Sequence, residues 1–259
     1  MRRPGTVIVL VLITLGALGM PFLRVRLSLP DAAVLPQDMP SRQGYDLVRQ
    51  QFGDGAVASL VVVVRAPGPI LAPERLDALY DLSRFIARDP EVARVESIVD
   101  LDPRLTREQY HLLYRDGARH ADAYPRLVLQ RMATANVTVL TVVPRHVAVT
   151  PEAMALVGRL RALRPGADLE ILVGGGPAAI GDIVAQLYRD FPRAVIFIVV
   201  STYLILLVLF RSVLLPLKAI LMNSLSLVAS YGVLVVVFQE GFLSNVLGFE
   251  PLGYVEATL

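Results

Sequence analysis

Three long runs of apolar residues divide this chain of 259 residues. They cover residues 6–23, 194–210 and 213–238, and the middle run contains no charged residue. As a helix, that run would be roughly 25 Å long, close to the thickness of the hydrocarbon core of a bilayer. Uncharged runs of this length are rare in the buried helices of soluble proteins, which are the alternative explanation. The pattern predicts three transmembrane helices.

The first run also has to be compared with a secretory signal peptide, because it follows Arg2 and Arg3. It is longer than the usual apolar core of a signal peptide. It ends in the sequence PFLR at residues 21–24, which contains no small-residue cleavage pattern. These features favour a retained transmembrane helix.

The basic residues next to the runs suggest an orientation. If the N-terminal arginines are cytoplasmic, Arg211 and Lys218, at the corner between the second and third runs, are cytoplasmic too, as the positive-inside rule requires. The region between the first two runs is then extracytoplasmic. Arg24 and Arg26 would lie just outside the membrane, and they count against this orientation.

Between the first two runs, short β-branched stretches alternate with amphipathic helical stretches. The strand candidates are residues 57–65, 92–99, 137–143 and 168–173. Helical periodicity follows Pro73 and Pro151, where proline suits the first turn of a helix. This βαββαβ order predicts a ferredoxin-like α+β domain. Residues 100–135 are polar and are interpreted as an insertion, in which Thr106 and Gln109 have the spacing of a capping box.

A glycine-rich stretch follows the last strand candidate and matches the pattern G-x-G-x-x-A at residues 174–179. That pattern occurs in dinucleotide-binding folds, but the acidic residue expected about twenty positions later would lie inside the membrane helix. The structural interpretation is a tight strand-to-helix turn, in which glycines permit positive φ angles. We expect Asp182, Gln186 and Asp190 to lie on the extramembrane part of one helix that continues into the second run.

The third run carries small and weakly polar residues of the kind that let membrane helices pack closely. The predicted helix-packing face consists of Asn223, Ser226, Ser230 and Gly232. A lone anchor needs no such face, so we expect this run to contact further helices.

Composition agrees with a membrane protein, since 54% of the residues are hydrophobic and 19% are charged. The formal net charge is only +2 and the basic residues are scattered, so we predict no nucleic-acid partner. No base, nucleophile and orienting group occur at a suggestive spacing, so we predict no enzyme, no catalytic residue and no cofactor. His111, His120 and His146 lack the spacing of a zinc site, so we predict no metal. No acidic residue lies in the three runs, so no intramembrane proton carrier is predicted.

Several stretches resemble a known family. They are residues 21–36 (PFLRVRLSLPDAAVLP) followed by Ser41 and Arg42, residues 173–182 (VGGGPAAIGD), residues 210–239 (FRSVLLPLKAILMNSLSLVASYGVLVVVFQ) and residues 247–259. The sequence resembles the large actinobacterial MMPL transporters of the resistance-nodulation-division (RND) superfamily. Such transporters contain two repeats, each with a helix, a ferredoxin-like porter domain and five further helices, and these stretches resemble part of the second repeat.

The resemblance implies a division of the chain into an N-terminal transmembrane helix, a periplasmic porter domain, a long helix that enters the second span, a third transmembrane helix and an extracytoplasmic segment. In this sequence they correspond to residues 1–26, 27–175, 176–211, 212–239 and 240–259. The structural coupling residues that the resemblance implies are Gly174, Gly175, Gly176, Asp182, Arg211 and Lys218.

The function implied by the resemblance is export of lipids or other hydrophobic compounds, driven by the proton motive force. The protein would be a multi-pass protein of the bacterial inner membrane. Its partners would be membrane lipids, the hydrophobic substrate, the remaining helices of a longer protein and possible further copies of itself. The family's proton-relay helix would follow residue 259, so the resemblance implies a fragment. The alternative is a membrane-anchored extracytoplasmic sensor or assembly module, which would need a cytoplasmic output domain.

Overall fold

A computed structural model describes residues 4–115, 122–147, 150–249, 251 and 253–256. Arg2, Arg3 and His120, on which expectations were based, lie outside these ranges. The chain divides into two compact units. We call Asp31–Asp182 the sheet unit, and Met1–Pro30 together with Ile183–Leu259 the membrane unit.

The described residues form helices and strands that alternate along most of the chain. The α-helices are α1 (Pro4–Gly19), α2 (Pro40–Phe52), α3 (Pro73–Ala87), α4 (Arg107–Tyr114), α5 (Ala123–Met132), α6 (Pro151–Ala162), α7 (Gly176–Phe210), α8 (Leu214–Leu234) and α9 (Ser244–Leu247). The strands are β1 (Leu27–Ser28), β2 (Leu60–Arg65), β3 (Val92–Glu96), β4 (Val137–Pro144), β5 (Glu170–Gly175) and β6 (Val255–Glu256).

The sheet unit is built on a four-stranded sheet in the order β3-β4-β2-β5, and every neighbouring pair is antiparallel. Strand β2 shows why it occupies the interior of the sheet: Leu60, Val62 and Val64 are fully buried, while the residues between them are more exposed. A strand places alternate side chains on opposite faces, so this alternation gives the sheet one core face.

Helices α3 and α6 supply the other side of the core. On α3, the residues buried at helical spacing are Leu76, Leu79, Leu82 and Ile86, and on α6 they are Leu156, Val157 and Leu160. All of them belong to the same apolar cluster as the buried residues of β2. Thr150 begins α6 by accepting a hydrogen bond from the Ala153 N–H at its Oγ1, and Pro151 occupies the first turn.

The polar stretch between β3 and β4 contains α4 and α5. The predicted capping box is confirmed: Thr106 Oγ1 accepts from the Gln109 N–H, and the Gln109 side chain accepts from the Thr106 N–H. Tyr110 and Tyr114 of α4 are buried in the core cluster. These tyrosines therefore anchor the stretch to the sheet unit.

Two strands are shorter than the sequence suggests. Residues 54–57 form a 3₁₀ turn, so β2 starts only at Leu60. Strand β3 ends at Glu96 because the next residues turn around the Asp100 carboxylate, which accepts hydrogen bonds from the Ser83 and Ser97 hydroxyls. Such local side-chain bonds compete with the hydrogen bonds of the sheet.

Three of the described helices are long and apolar enough to cross a membrane, namely Gly5–Arg24, Gly176–Phe210 and Leu214–Gln239. The third one ends in a π-helical turn over Val235–Gln239. Together with the sheet unit, they make the chain an α+β protein with candidate transmembrane helices.

Candidate functional site

The junction between β5 and α7 depends on one glycine. Gly175 has a φ of +97°, and a Cβ atom there would lie 2.6 Å from the Ser59 carbonyl oxygen. A Cβ on Gly174 would be 4.0 Å from its nearest neighbour, and one on Gly176 would meet nothing within 4 Å. The sequence suggests a turn that needs all three glycines, whereas in the structure only Gly175 has to be glycine. Gly174 belongs to the strand, Gly175 makes the turn and Gly176 starts the helix.

The start of α7 is held by the core of the sheet unit. Gly175 pairs with Leu60 at the end of β5, and Ala178, in the first turn of α7, is 1% exposed. Ala178 belongs to the same apolar cluster as Leu60. The first turn of α7 is therefore packed into the core of the sheet unit.

An ion pair fixes the second turn of α7. Asp182 accepts two hydrogen bonds from the Arg161 guanidinium, Nη1–Oδ1 at 2.6 Å and Nη2–Oδ2 at 2.8 Å. The same Nη2 donates to the Val173 carbonyl oxygen at 3.1 Å. Arg161 of α6 thus joins β5 to α7. An exposed pair of this kind stabilises a fold by only about 0.2–1 kcal/mol.

Asp182 is one of the residues predicted from the sequence, whereas its partner Arg161 is not. The two residues are 21 positions apart and lie on different helices, so no local spacing connects them. The only sequence signal was a basic residue in the last turn of α6, where cations are favoured by the helix dipole.

Helix α7 continues for 35 residues, or roughly 50 Å. Its polar part includes Gln186 and Asp190, whose side chains are hydrogen-bonded, and Pro192 follows inside the helix. Proline has no N–H to donate to the carbonyl of Tyr188, so this turn lacks one helical hydrogen bond. After Arg193, residues 194–210 are uncharged and expose large apolar side chains.

Arg211 forms the corner between α7 and α8 with a positive φ of 47°. Lys218 lies inside α8 and is exposed, two turns after the corner. Pro216 fits at the start of α8 because the first N–H groups of a helix have no partner within it. The cytoplasmic placement of Arg211 and Lys218 stays a prediction.

In the membrane unit, α1 and α8 pack closely at two glycines. A Cβ at Gly232 would lie 1.9 Å from the Leu18 carbonyl oxygen, and a Cβ at Gly19 would lie 2.8 Å from Val228 Cγ1. Small residues allow two membrane helices to approach in this way. Gly232 therefore has a defined role in the contact with α1.

The other members of the predicted packing face lie elsewhere on α8. Gly232 is half a helical turn from Asn223, counted at 3.6 residues per turn. Asn223, Ser226 and Ser230 are exposed, and the Ser230 hydroxyl donates to the Ser226 carbonyl oxygen at 3.0 Å. The structure thus separates Gly232 from the other three, and their contact with further helices stays a prediction.

No group of three or more histidine, cysteine or acidic side chains that could hold a metal occurs among the described residues. His111 is 2.8 Å from the Asp77 carboxylate, and His146 is 3.3 Å from that of Glu91. Each of these histidines therefore lies beside one carboxylate in the sheet unit.

These features define a class: a membrane protein in which a folded α+β unit follows the first apolar helix along the chain and precedes the second. The MMPL family matches residues 33–249. The chain belongs to the MMPL family, and the resemblance found in the sequence is confirmed. Members of this family are transporters and not enzymes.

Individual relatives agree with this assignment. Membrane protein YdfJ of Bacillus subtilis is 24% identical over all of this chain and 31% of its own length. Trehalose monomycolate exporter MmpL3 of Mycolicibacterium smegmatis is 34% identical over 39% of this chain and 10% of its own. Heme uptake protein MmpL11 of Mycobacterium tuberculosis is 28% identical over 84% of this chain and 20% of its own. The chain thus spans about a third of the length of such relatives, or less.

We predict that Gly175→Ala lowers the free energy of unfolding by roughly 1–3 kcal/mol, because alanine is strained at this φ and its Cβ collides with the Ser59 carbonyl oxygen. Gly174→Ala is the matched control and should change it by less than about 1 kcal/mol. Denaturant unfolding of both variants, followed by circular dichroism in detergent, measures the difference. Equal losses for the two variants would contradict the assignment of the turn to Gly175.

We also predict that Gly232→Ala separates α1 from α8, because the new methyl group overlaps the backbone at Leu18. The Phe22 and Tyr231 rings lie 5.9 Å apart across this contact. Cysteines at these two positions, in a chain that has none of its own, report the separation through a short thiol crosslinker.

Crosslinking should fall several-fold in Gly232→Ala. It should be retained in Gly16→Ala, where the added Cβ meets nothing within 4 Å. Undiminished crosslinking in Gly232→Ala would show that the contact between α1 and α8 does not depend on this glycine.

Proposed function

We propose that this chain is part of an exporter of the bacterial inner membrane that uses the proton motive force to move lipids or other hydrophobic compounds. The observation that carries the proposal is α7, which starts in the packed core of the sheet unit and continues without interruption through an apolar segment long enough to span a membrane. Membership of a transporter family supplies the biochemical context.

The sheet unit would act as a ferredoxin-like porter domain. Its antiparallel sheet has the order β3-β4-β2-β5, and α3 and α6 connect β2 to β3 and β4 to β5. This arrangement supports the βαββαβ assignment, with α4 and α5 as the insertion. The proposal places the sheet unit outside the cytoplasm, between the first and second membrane spans.

The residues that carry protons are proposed to lie in other helices of a longer protein. No acidic side chain occurs in the apolar runs at residues 6–23, 194–210 and 213–238. Proton relays in membranes rely on buried ionisable side chains, which these runs do not offer. The face formed by Asn223, Ser226 and Ser230 would contact such helices.

Proton movement would be coupled to the porter domain through α7. The Arg161–Asp182 pair and the Gly175 turn hold the start of the helix against the sheet. A rigid helix transmits a tilt or rotation from one end to the other, whereas a flexible linker does not. These contacts are thus the proposed structural basis of coupling, with the Arg211 corner at the other end of α7.

The names of the relatives point to two kinds of transported compound. MmpL3 is named as an exporter of trehalose monomycolate and MmpL11 as a heme uptake protein. Both compounds carry large apolar parts, which supports a hydrophobic substrate for this chain. A membrane-anchored sensor or assembly module is the second candidate, and membership of a transporter family favours transport over it.

The experiment uses the complete transporter that contains this sequence, expressed in a strain from which its gene has been deleted. Cells are labelled with radioactive acetate, and the labelled lipids at the cell surface and in the medium are measured. Expression should restore a lipid fraction that the deletion removes, and a protonophore should stop its appearance. No lipid difference between the two strains, or export that persists with the protonophore, would contradict the proposal.

We predict that Arg161→Asp lowers this export roughly fivefold at equal protein level, because a coupling of about 1 kcal/mol is lost. The exchange of both charges in Arg161→Asp with Asp182→Arg should restore most of it. The matched control is Arg159→Asp on the same helix, since Arg159 binds Asp89 and not α7. Equal losses for the two single variants, or no rescue by the exchange, would contradict a specific role of the Arg161–Asp182 pair.

A further inference from the structure

Two arginines lie where the first membrane span ends. Arg24 is the last residue of the apolar helix Gly5–Arg24, and Arg26 follows it. Gln239 is the last residue of the apolar helix Leu214–Gln239. The two helices run in the same direction, because Leu18 lies beside Gly232 and Arg24 beside Gln239. If these two helices span a membrane, both arginines lie at the same surface of it, at the level of the lipid head groups.

An open cavity of about 440 Å³ lies at this end of the two helices. It is lined by Arg24, Arg26, Gln239, Glu240 and Gly253, all of which belong to the membrane unit. Such a volume is sufficient for a phospholipid head group, whereas the apolar helices on one side of it are matched to acyl chains.

The backbone that carries the two arginines is fixed on both sides. Gln239 Nε2 donates to the Arg24 carbonyl oxygen at 3.0 Å, and Gln239 Oε1 accepts from the Arg26 N–H at 2.8 Å. The Arg26 carbonyl oxygen accepts from the Val255 N–H at 2.8 Å, where β1 and β6 pair in parallel. A ligand would not have to order this segment, and preorganisation of this kind favours binding.

The charges of the cavity suit a single negative charge. Arg24 and Arg26 are exposed, and no carboxylate forms a salt bridge with either of them within the part of the chain that the structure describes. Glu240 adds one negative charge to the lining, which leaves an excess of one positive charge. Guanidinium groups bind phosphate oxygens through paired, charge-assisted hydrogen bonds.

We propose that Arg24 and Arg26 form a binding site for the phosphodiester of an anionic membrane phospholipid, with its acyl chains beside the helices that end there. At the surface of a bilayer this phosphodiester is the abundant group that combines one negative charge with an apolar anchor. The site explains why two basic residues occur together at an end of the span where the charge rule, in the proposed orientation, disfavours them. It does not depend on transport, since a lipid can bind there in a protein that exports nothing.

The test is a titration of the purified full chain in detergent with phosphatidylglycerol, phosphatidylcholine or inorganic phosphate, followed by native mass spectrometry. Phosphatidylglycerol should bind more tightly than phosphatidylcholine, which has no net charge. In Arg24→Gln with Arg26→Gln, the affinity for phosphatidylglycerol should fall roughly tenfold to thirtyfold, because each arginine near a membrane contributes about 1 kcal/mol.

Glu240→Gln should change the same affinity in the opposite direction, with a gain of a few-fold, because a repulsive charge is removed from the lining. A gain in binding cannot come from misfolding, so this variant keeps the test decisive if the double variant folds poorly. The matched control is Arg94→Gln with Arg104→Gln, which removes the same charge from exposed positions in the sheet unit. It should leave the affinity unchanged.

Three results would overturn the proposal: equal binding of the two lipids, an equal loss of affinity in the control variant, or no gain in Glu240→Gln. Competition by inorganic phosphate distinguishes the two sources of the anion. Phosphatidylglycerol that stays bound supports a lipid site. Displacement by phosphate as effective as that by free phosphatidylglycerol would show a site for soluble anions instead.

Discussion

Helix α7 begins in the core of a folded sheet and continues as an apolar segment suited to a bilayer, and the rest of the structure depends on that constraint. Its first turn packs Ala178 into the core of an antiparallel sheet, whereas its last turns expose apolar side chains as far as Phe210. In a bilayer, backbone N–H and C=O groups must find their partners within the helix, so the apolar part of α7 cannot unwind without cost. The sheet unit and the second membrane span are thus joined by one element of secondary structure.

In the membrane unit, much of the apolar surface of the helices is not covered by the described residues of this chain. Gly19 and Gly232 let α1 and α8 approach closely, but large side chains such as Phe197 and Val208 of α7 remain exposed, by 72% and 77%. Exposed apolar side chains on a candidate membrane helix are typical of contacts with lipid or with other helices. Relatives at least about three times as long offer additional chain for such contacts. In our proposal, the helices that carry protons occupy part of this surface.

Much of the fold follows from local patterns in the sequence. The apolar runs, the capping box at Thr106 and the leucine spacing of α3 each depend on neighbouring residues, and each appears in the structure. Strand ends were less predictable, because the Asp100 hydrogen bonds that end β3 compete with the sheet. In the candidate site, the glycine turn was predictable, but its dependence on Gly175 alone follows from the approach of Ser59. Arg161 and Gln239 were not predictable, because their partners lie 21 and 215 positions away.

We propose that α7 leads from an aqueous compartment through the membrane. Single cysteines can test it, because the chain has none of its own: Gln186→Cys, Ile198→Cys, Leu204→Cys and Arg211→Cys, treated with a membrane-impermeant maleimide in intact spheroplasts and again after lysis. We predict labelling of Gln186→Cys in intact spheroplasts, no labelling of Ile198→Cys or Leu204→Cys, and labelling of Arg211→Cys only after lysis. Labelling of all four positions in intact spheroplasts would contradict it.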